Sequence, residues 1–150
     1  MRSTTRSSRL LAVADILVAP SALLTAVTVL RDGLSVRDPQ PVYTRVPATR
    51  KPRFVTVSRA GGQLINPFTE SVLLIVQVWD DDKVMGEARA EQTANLCVGL
   101  MRASSGTRVG GAKIRWWEQN ALPSWFPDPD VPGMARFQFT GELRLAVQKY

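Results

Sequence analysis

The run Val72-Leu-Leu-Ile-Val-Gln-Val-Trp79 decides the fold. Only Gln77 interrupts its apolar character. An apolar run of this length, bounded by turn residues, reads as a strand, and a strand without a polar side is covered on both faces. Helices supply one cover. In a chain of 150 residues, another subunit is the expected source of the second.

Working downstream, Asp80-Asp81-Asp82 reads as the start of a helix running to about Ala103, because acidic residues satisfy free N–H groups and complement the dipole there. Met85, Ala88, Leu96 and Leu100 line one side of it, and Ala90, Ala94, Cys97, Val98 and Met101 lie elsewhere. A helix this broadly apolar is expected to be sandwiched. Ser104 to Gly111 is a turn region, and Ile114 to Trp117 is a strand that should turn one of its two tryptophans inward. Residues 118–134, with four prolines plus Trp125 and Phe126, read as a long loop. The last strand alternates most clearly: Phe137, Phe139, Leu143, Leu145 and Val147 against Gln138, Thr140, Glu142, Arg144 and Gln148. Gly141 in its middle marks a bulge or a close approach.

Upstream, residues 59–70 read as a loop containing Gly61-Gly62 and Pro67, preceded by a strand through Phe54, Val55 and Val57. Ala48 to Pro52 is a basic turn, and Val42 to Val46 is a strand ending at Pro47. A helix is expected from Ser21, its N-cap, to Asp32, with Gly33 as its stop. Arg2, Arg6 and Arg9 followed by the apolar stretch Leu10 to Leu30 resemble an export signal or a membrane span. Asp15 inside the stretch, the break at Pro20 and the helical spacing of Leu23, Leu24, Val27 and Leu30 favour a soluble amphipathic helix instead. Residues 1–9 are expected to be a mobile basic N-terminus. The whole is one domain, 1–150, of the α+β class: an antiparallel or mixed β-sheet of four to five strands with two helices packed on one face.

Chemistry is sparse. With no histidine and one cysteine, the commonest base, the commonest metal ligand and any intrachain disulfide are missing. Gly106-Thr-Arg-Val-Gly-Gly-Ala-Lys113 fails as a phosphate loop, since Lys113 does not follow the second glycine and Ile114 replaces the required Ser/Thr. The Asp80–Asp82 triplet lacks calcium-loop spacing, Asp128 and Asp130 read as turn residues, and Cys97 reads as a buried thiol. No catalytic, cofactor-binding or metal-binding set is expected, and the chain does not read as an enzyme. Charge is uneven: residues 1–59 hold 10 Lys+Arg and 3 Asp+Glu, whereas 60–150 hold 9 and 10. A basic segment of that kind meets nucleic acid, an acidic partner or an anionic membrane, or is simply a solvated face. Aromatics on a proline-rich loop suit either loop anchoring or docking.

Arg45-Val-Pro47, Arg53-Phe-Val-Thr-Val57, Arg59-Ala-Gly-Gly62, Asn66-Pro-Phe-Thr69 and Val76-Gln-Val-Trp79, followed by an Ala-rich helix, form a series. Over roughly residues 42–103 it resembles the tail terminator proteins of long non-contractile-tailed (siphovirus) phages of actinobacteria, relatives of the lambda-type terminator. The resemblance implies a mixed or antiparallel sheet flanked by helices. It also implies a hexameric ring of self-associated copies on the head-proximal end of the tail tube, which stops tube polymerisation and presents a docking surface to the head–tail connector protein. The partners implied are further copies, the tail tube protein and the connector, without a membrane or cofactor. The location implied is the virion tail, after assembly in the host cytoplasm. On that reading Phe68, Trp125 and Phe126 are the expected interface residues. Arg50, Lys51, Arg53 and Arg59 are expected to face DNA in the ring lumen or an acidic neighbour. The competing readings are a head–tail connector or head-completion protein, a basic nucleic-acid-binding module built on Arg45 and those four residues, and an exported or anchored protein.

Overall fold

In the computed structural model, which describes residues 16–150, the Val72–Trp79 run is the centre of a longer strand, β4 (Thr69–Asp80). The other strands are β1 (Leu17–Val18), β2 (Val42–Tyr43), β3 (Arg53–Asn66), β5 (Arg108–Val109), β6 (Ala112–Trp125), β7 (Ala135–Ala146) and β8 (Gln148–Lys149). Two helices among the described residues are α1 (Ala22–Ser35) and α2 (Gly86–Ala103). The expected N-terminal basic segment 1–9 and Asp15 lie outside the described residues.

The main sheet has the order β2-β3-β4-β7-β6-β5, and β1 pairs with β8 in a separate two-stranded ladder. All pairs are antiparallel except β2 with β3, where Val42 lies opposite Val55 in parallel. The α+β class is as expected, but the main sheet has six strands rather than four or five. The extra member, β5, and the separate pair β1 and β8 are each two residues long and too short to show a period in sequence.

β4 sits at the middle of the sheet and its two faces differ. Val72, Leu74, Val76 and Val78 are fully buried under the helices, together with Val55, Val57, Phe139, Leu143 and Leu145 from the neighbouring strands. On the opposite face Trp79 stacks on Phe54, with ring centroids 5.3 Å apart, beneath Val131. Leu73 and Ile75 remain half-buried there. The expectation of cover on both sides therefore holds within the chain only at the Trp79 end.

α2 is not sandwiched: Met85 and Ala88, expected on its apolar side, are exposed together with Glu91, Asn95 and Gly99. Ala90, Ala94, Cys97, Val98 and Met101 meet the sheet, while Leu96 and Leu100 pack beside α1. Gly33 does not stop α1, which continues to Ser35 and is capped by Val36. A side chain at Gly33 would collide with Leu100, so the glycine marks close helix–helix packing. Ser21 is the N-cap as read: its Oγ accepts from the Leu24 amide at 3.1 Å. The buried stripe of α1 is Ala22, Ala26, Leu30 and Leu34, and Leu24 points outward at 64% exposure.

Three boundaries need correction. Residues 59–70 are not a loop but the far half of the β3–β4 hairpin, closed by a turn at Pro67-Phe68. Gly61, at φ 136°, sits at a register shift, and a side chain at Gly62 would strike the Ser71 carbonyl, so the glycines mark a bulge. Residues 118–134 are not one loop either, since β6 continues to Trp125 through two further register shifts. A bulged edge strand tolerates Pro123, which cannot donate to a ladder. Finally, α2 starts at Gly86 rather than at the Asp80–Asp82 triplet, because Asp80 is still paired within β4 and its carboxylate is held elsewhere.

Candidate functional site

The β3–β4 hairpin grows out of the body. β2 pairs β3 only at Val55 and Thr56, and every residue from Ser58 to Phe68 is exposed. Asn66 Oδ1 accepts from the Phe68 amide at 2.9 Å, fixing the turn and leaving the Phe68 ring 60% exposed. Leu64 and Ile65 are exposed beside it. A long edge with free ladder groups and apolar side chains is a template for pairing with another chain.

Trp125 and Phe126 lie at the other end of the sheet, where Trp125 is opposite Phe137. Their rings are about half exposed. Trp125 meets Phe137 edge-on at 5.7 Å, and the Arg136 guanidinium sits 4.8 Å from the centre of the Phe126 ring. Phe68 and the Trp125–Phe126 pair are therefore not brought together. Thr69 pairs with Ala146 and Asp80 with Ala135, which separates the two ends by roughly 35 Å of strand.

The sheet face away from the helices links these ends. A polar ladder crosses it: Ser71 Oγ donates to Glu142 Oε1 at 3.0 Å, Gln77 Nε2 to Gln138 Oε1 at 2.9 Å, and Trp79 Nε1 to Thr56 Oγ1 at 3.3 Å. Leu73 and Ile75 sit among these groups, and Trp116, 51% exposed, lies opposite Arg144 further along. Its neighbour Trp117 is the inward one, 3% exposed.

The four basic candidates do not form one patch. Arg50 and Lys51 are exposed in the β2–β3 connection, and Arg59 is exposed roughly 20 Å further along β3. Arg53 must be withdrawn as a partner contact, because its guanidinium is engaged within the chain. It donates to both Asp38 carboxylate oxygens at 2.8 and 2.9 Å, to Asp80 Oδ2 at 3.1 Å and to Thr93 Oγ1 at 3.0 Å. Arg89 reaches the same Asp80 carboxylate at 2.6 and 2.8 Å. This network joins the α1–β2 connection, the β3–β4 pair and α2. Nothing in the spacing of Asp38, Arg53, Asp80 and Arg89 signals it; only the β3–β4 register, which sets Arg53 opposite Asp80, does.

Burial alone would push the Asp38 carboxyl up, but hydrogen bonds from Arg53 and Thr93 and the charges of Arg53 and Arg89 outweigh it and hold it below the usual value. The Asp38 pairing therefore stabilises the fold fully above the ordinary carboxylate value of 3.8 and loses that contribution as pH falls through the lower folded value. Urea unfolding of wild type should accordingly show a steeper stability loss than Asp38→Asn does as pH falls below 3.8; identical acid limbs would exclude this role.

Other sequence candidates resolve into local structure. The Gly106–Lys113 stretch forms the β5–β6 turn, with Lys113 Nζ donating to the Gly106 carbonyl at 2.8 Å. Asp82 accepts from the amides of Met85 and Val84, which hold its carboxyl below the usual value. Burial pushes the Cys97 thiol up to about 12, far from a thiolate nucleophile. Among the described residues no group of three or more His, Cys, Asp or Glu could hold a metal ion, and no helix is long and apolar enough to cross a membrane.

The fold and this surface define a class: an α+β protein with helices on one face of a curled sheet, a projecting hairpin and an open opposite face. No protein-family model matches the chain, and no curated protein matches it. Among solved structures, a chain from the virion of a native gene transfer agent particle shares the fold with a TM-score of 0.54 and 14% identity, over 85% of this chain and 99% of that one. A second solved structure, which carries no description of its role, gives a TM-score of 0.53 and 16% identity over 85% and 93% of the two chains. At these identities the likeness is one of fold.

Proposed function

We propose that this chain is a virion structural protein of a tailed-phage type, and within that class a tail terminator. Copies form a ring on the head-proximal end of the tail tube, end its growth and receive the head–tail connector. The role is assembly, with no catalytic step. The observation that carries the reading is the β3–β4 hairpin, whose unpaired outer edge and exposed Leu64, Ile65 and Phe68 project from an otherwise well-packed fold. A fold shared with a chain of a gene transfer agent virion supports the broader class. The series of short motifs between residues 42 and 103 supports the finer one. The half-buried Leu73 and Ile75 and the exposed Trp116 and Trp125 offer further area for neighbouring copies. Scattered basic residues suit weak contact with DNA in a lumen better than a dedicated nucleic-acid site, which clusters its charge.

Phe68→Ser and Trp125→Ala separate assembly from folding. Each should shift self-association to at least tenfold higher protein concentration in sedimentation velocity, while the unfolding free energy changes by less than about 1 kcal/mol, as for surface sites. Equal loss of both would make these residues core elements. Electron microscopy of tails assembled without the protein should show tubes of uncontrolled length. Tubes of normal length would end the terminator reading.

A further inference from the structure

A cleft of about 860 Å³ opens between the first turns of α2 and the connection from β6 to β7. Trp125, Val131, Met134 and Phe137 give it an apolar floor. Its rim is acidic: Asp82, Glu87, Glu91 and Asp128 line it against the single cation Lys83. Asp128 is paired with Arg136 at 3.5 Å. Glu87 and Glu91 are exposed, one helical turn apart, and enter no ion pair among the described residues. The proposed role uses only Trp125 on this side of the molecule and leaves its acidic rim without a partner chain.

The chain itself contains a complement. Arg2, Arg6 and Arg9 are spaced by four and three residues and run directly into Leu10-Leu11. The cations complement the charge of Glu87 and Glu91, and the leucines complement the apolar floor. Reach decides which copy supplies them. The described chain begins at Ile16, whose carbonyl accepts from Tyr150 beyond β8, at the sheet end where Ala146 pairs with Thr69. The cleft is at the Ala135 end, roughly 35 Å away along the strands. Six residues lie between Arg9 and Ile16, and the seven Cα-to-Cα steps, fully extended, span only about 25 Å. Arg9, Leu10 and Leu11 therefore fall short of their own cleft.

We propose that the acidic-rimmed cleft receives the Arg2–Leu11 segment of a second copy, a head-to-tail contact that repeats from copy to copy. Such a heterologous contact closes into a ring when its rotation closes. The inference deepens the ring reading and rests on it for the neighbouring copy.

The test has two arms. A fluorescent peptide of residues 1–15 is titrated into full-length protein carrying Arg2→Glu, Arg6→Glu and Arg9→Glu, which cannot fill its own clefts. Saturable binding is expected, at least tenfold weaker after Glu87→Lys with Glu91→Lys and weakened by added salt. No binding, or binding indifferent to the glutamates, overturns the proposal. In the second arm, chains carrying Arg6→Cys are mixed with chains carrying Glu91→Cys under mild oxidation. An intermolecular disulfide between the two is expected, with buried Cys97 a silent background. A cross-link that forms only within a doubly substituted chain overturns the second-copy assignment. Because the peptide arm needs no ring, its failure is distinguishable from failure of the ring reading, which shows as wild type that never self-associates.

Discussion

Replacing Asp80 with alanine will destabilise the fold by about 3 kcal/mol, the lower end for breaking a buried ion pair. The Asp80 side chain is 1% exposed and accepts from Arg53, from Arg89 twice and from the Asp82 amide at 3.0 Å. Removing it leaves two guanidinium groups facing each other without their shared anion. The Arg89 side chain is 37% exposed and can rehydrate, and Arg53 keeps Asp38, which is why the loss stays at the lower end. Urea unfolding at neutral pH should show a lower midpoint with an unchanged slope. A loss below about 1 kcal/mol would mean that water replaces the carboxylate at little cost, and that the network does not hold α2 to the sheet.

The second large effect is expected at Gly141. A side chain there would overlap the six-membered ring of Trp117, which lies across the glycine from the adjacent strand. Trp117 is hemmed in: it is 3% exposed, meets Phe139 edge-on at 6.4 Å, and its indole N–H donates to Gln119 Oε1 at 2.8 Å. Gly141→Ala should therefore destabilise by about 3 kcal/mol, at the upper end for overpacking, with loss of tryptophan near-ultraviolet dichroism. Trp117→Leu in the same chain should recover part of that loss, because the two substitutions share one space and are not additive. If Gly141→Ala unfolds at the wild-type midpoint, the ring has room to move and the close packing of β6 on β7 is not needed.

These two sites lie in parts of the molecule that the proposed assembly surface does not use. Asp80 and Gly141 hold the sheet and helices together. Phe68, Leu64 and Trp125 project from it. The open sheet face is intermediate: the Ser71–Glu142 and Gln77–Gln138 hydrogen bonds flank Leu73 and Ile75, while the buried Arg144 Nε has no partner. Association over that face would bury apolar area without stranding many donors, which keeps its desolvation cost low.

The amino-acid sequence by itself determined the secondary elements with a strong period and the inner face of the sheet. The alternation from Phe137 to Val147 marks β7, the apolar run marks β4, and Ser21 starts α1, because periodicity and capping act over a few residues. It also made Gly141 a point of close approach, although not which ring approaches. Tertiary structure alone decided the rest. Residues 59–70 and 118–125 became strands because neighbouring strands offered hydrogen bonds that outweighed local turn signals. Arg53 became an internal ion pair because strand register set it against Asp80 and helix packing delivered Arg89 and Thr93. Phe68 and Trp125 were placed at opposite ends of one sheet, and the acidic cleft was assembled from α2 and the β6–β7 connection, residues some 40 positions apart. Register and packing are long-range properties, and no local pattern in the chain encodes which distant side chain will stand across from a given residue.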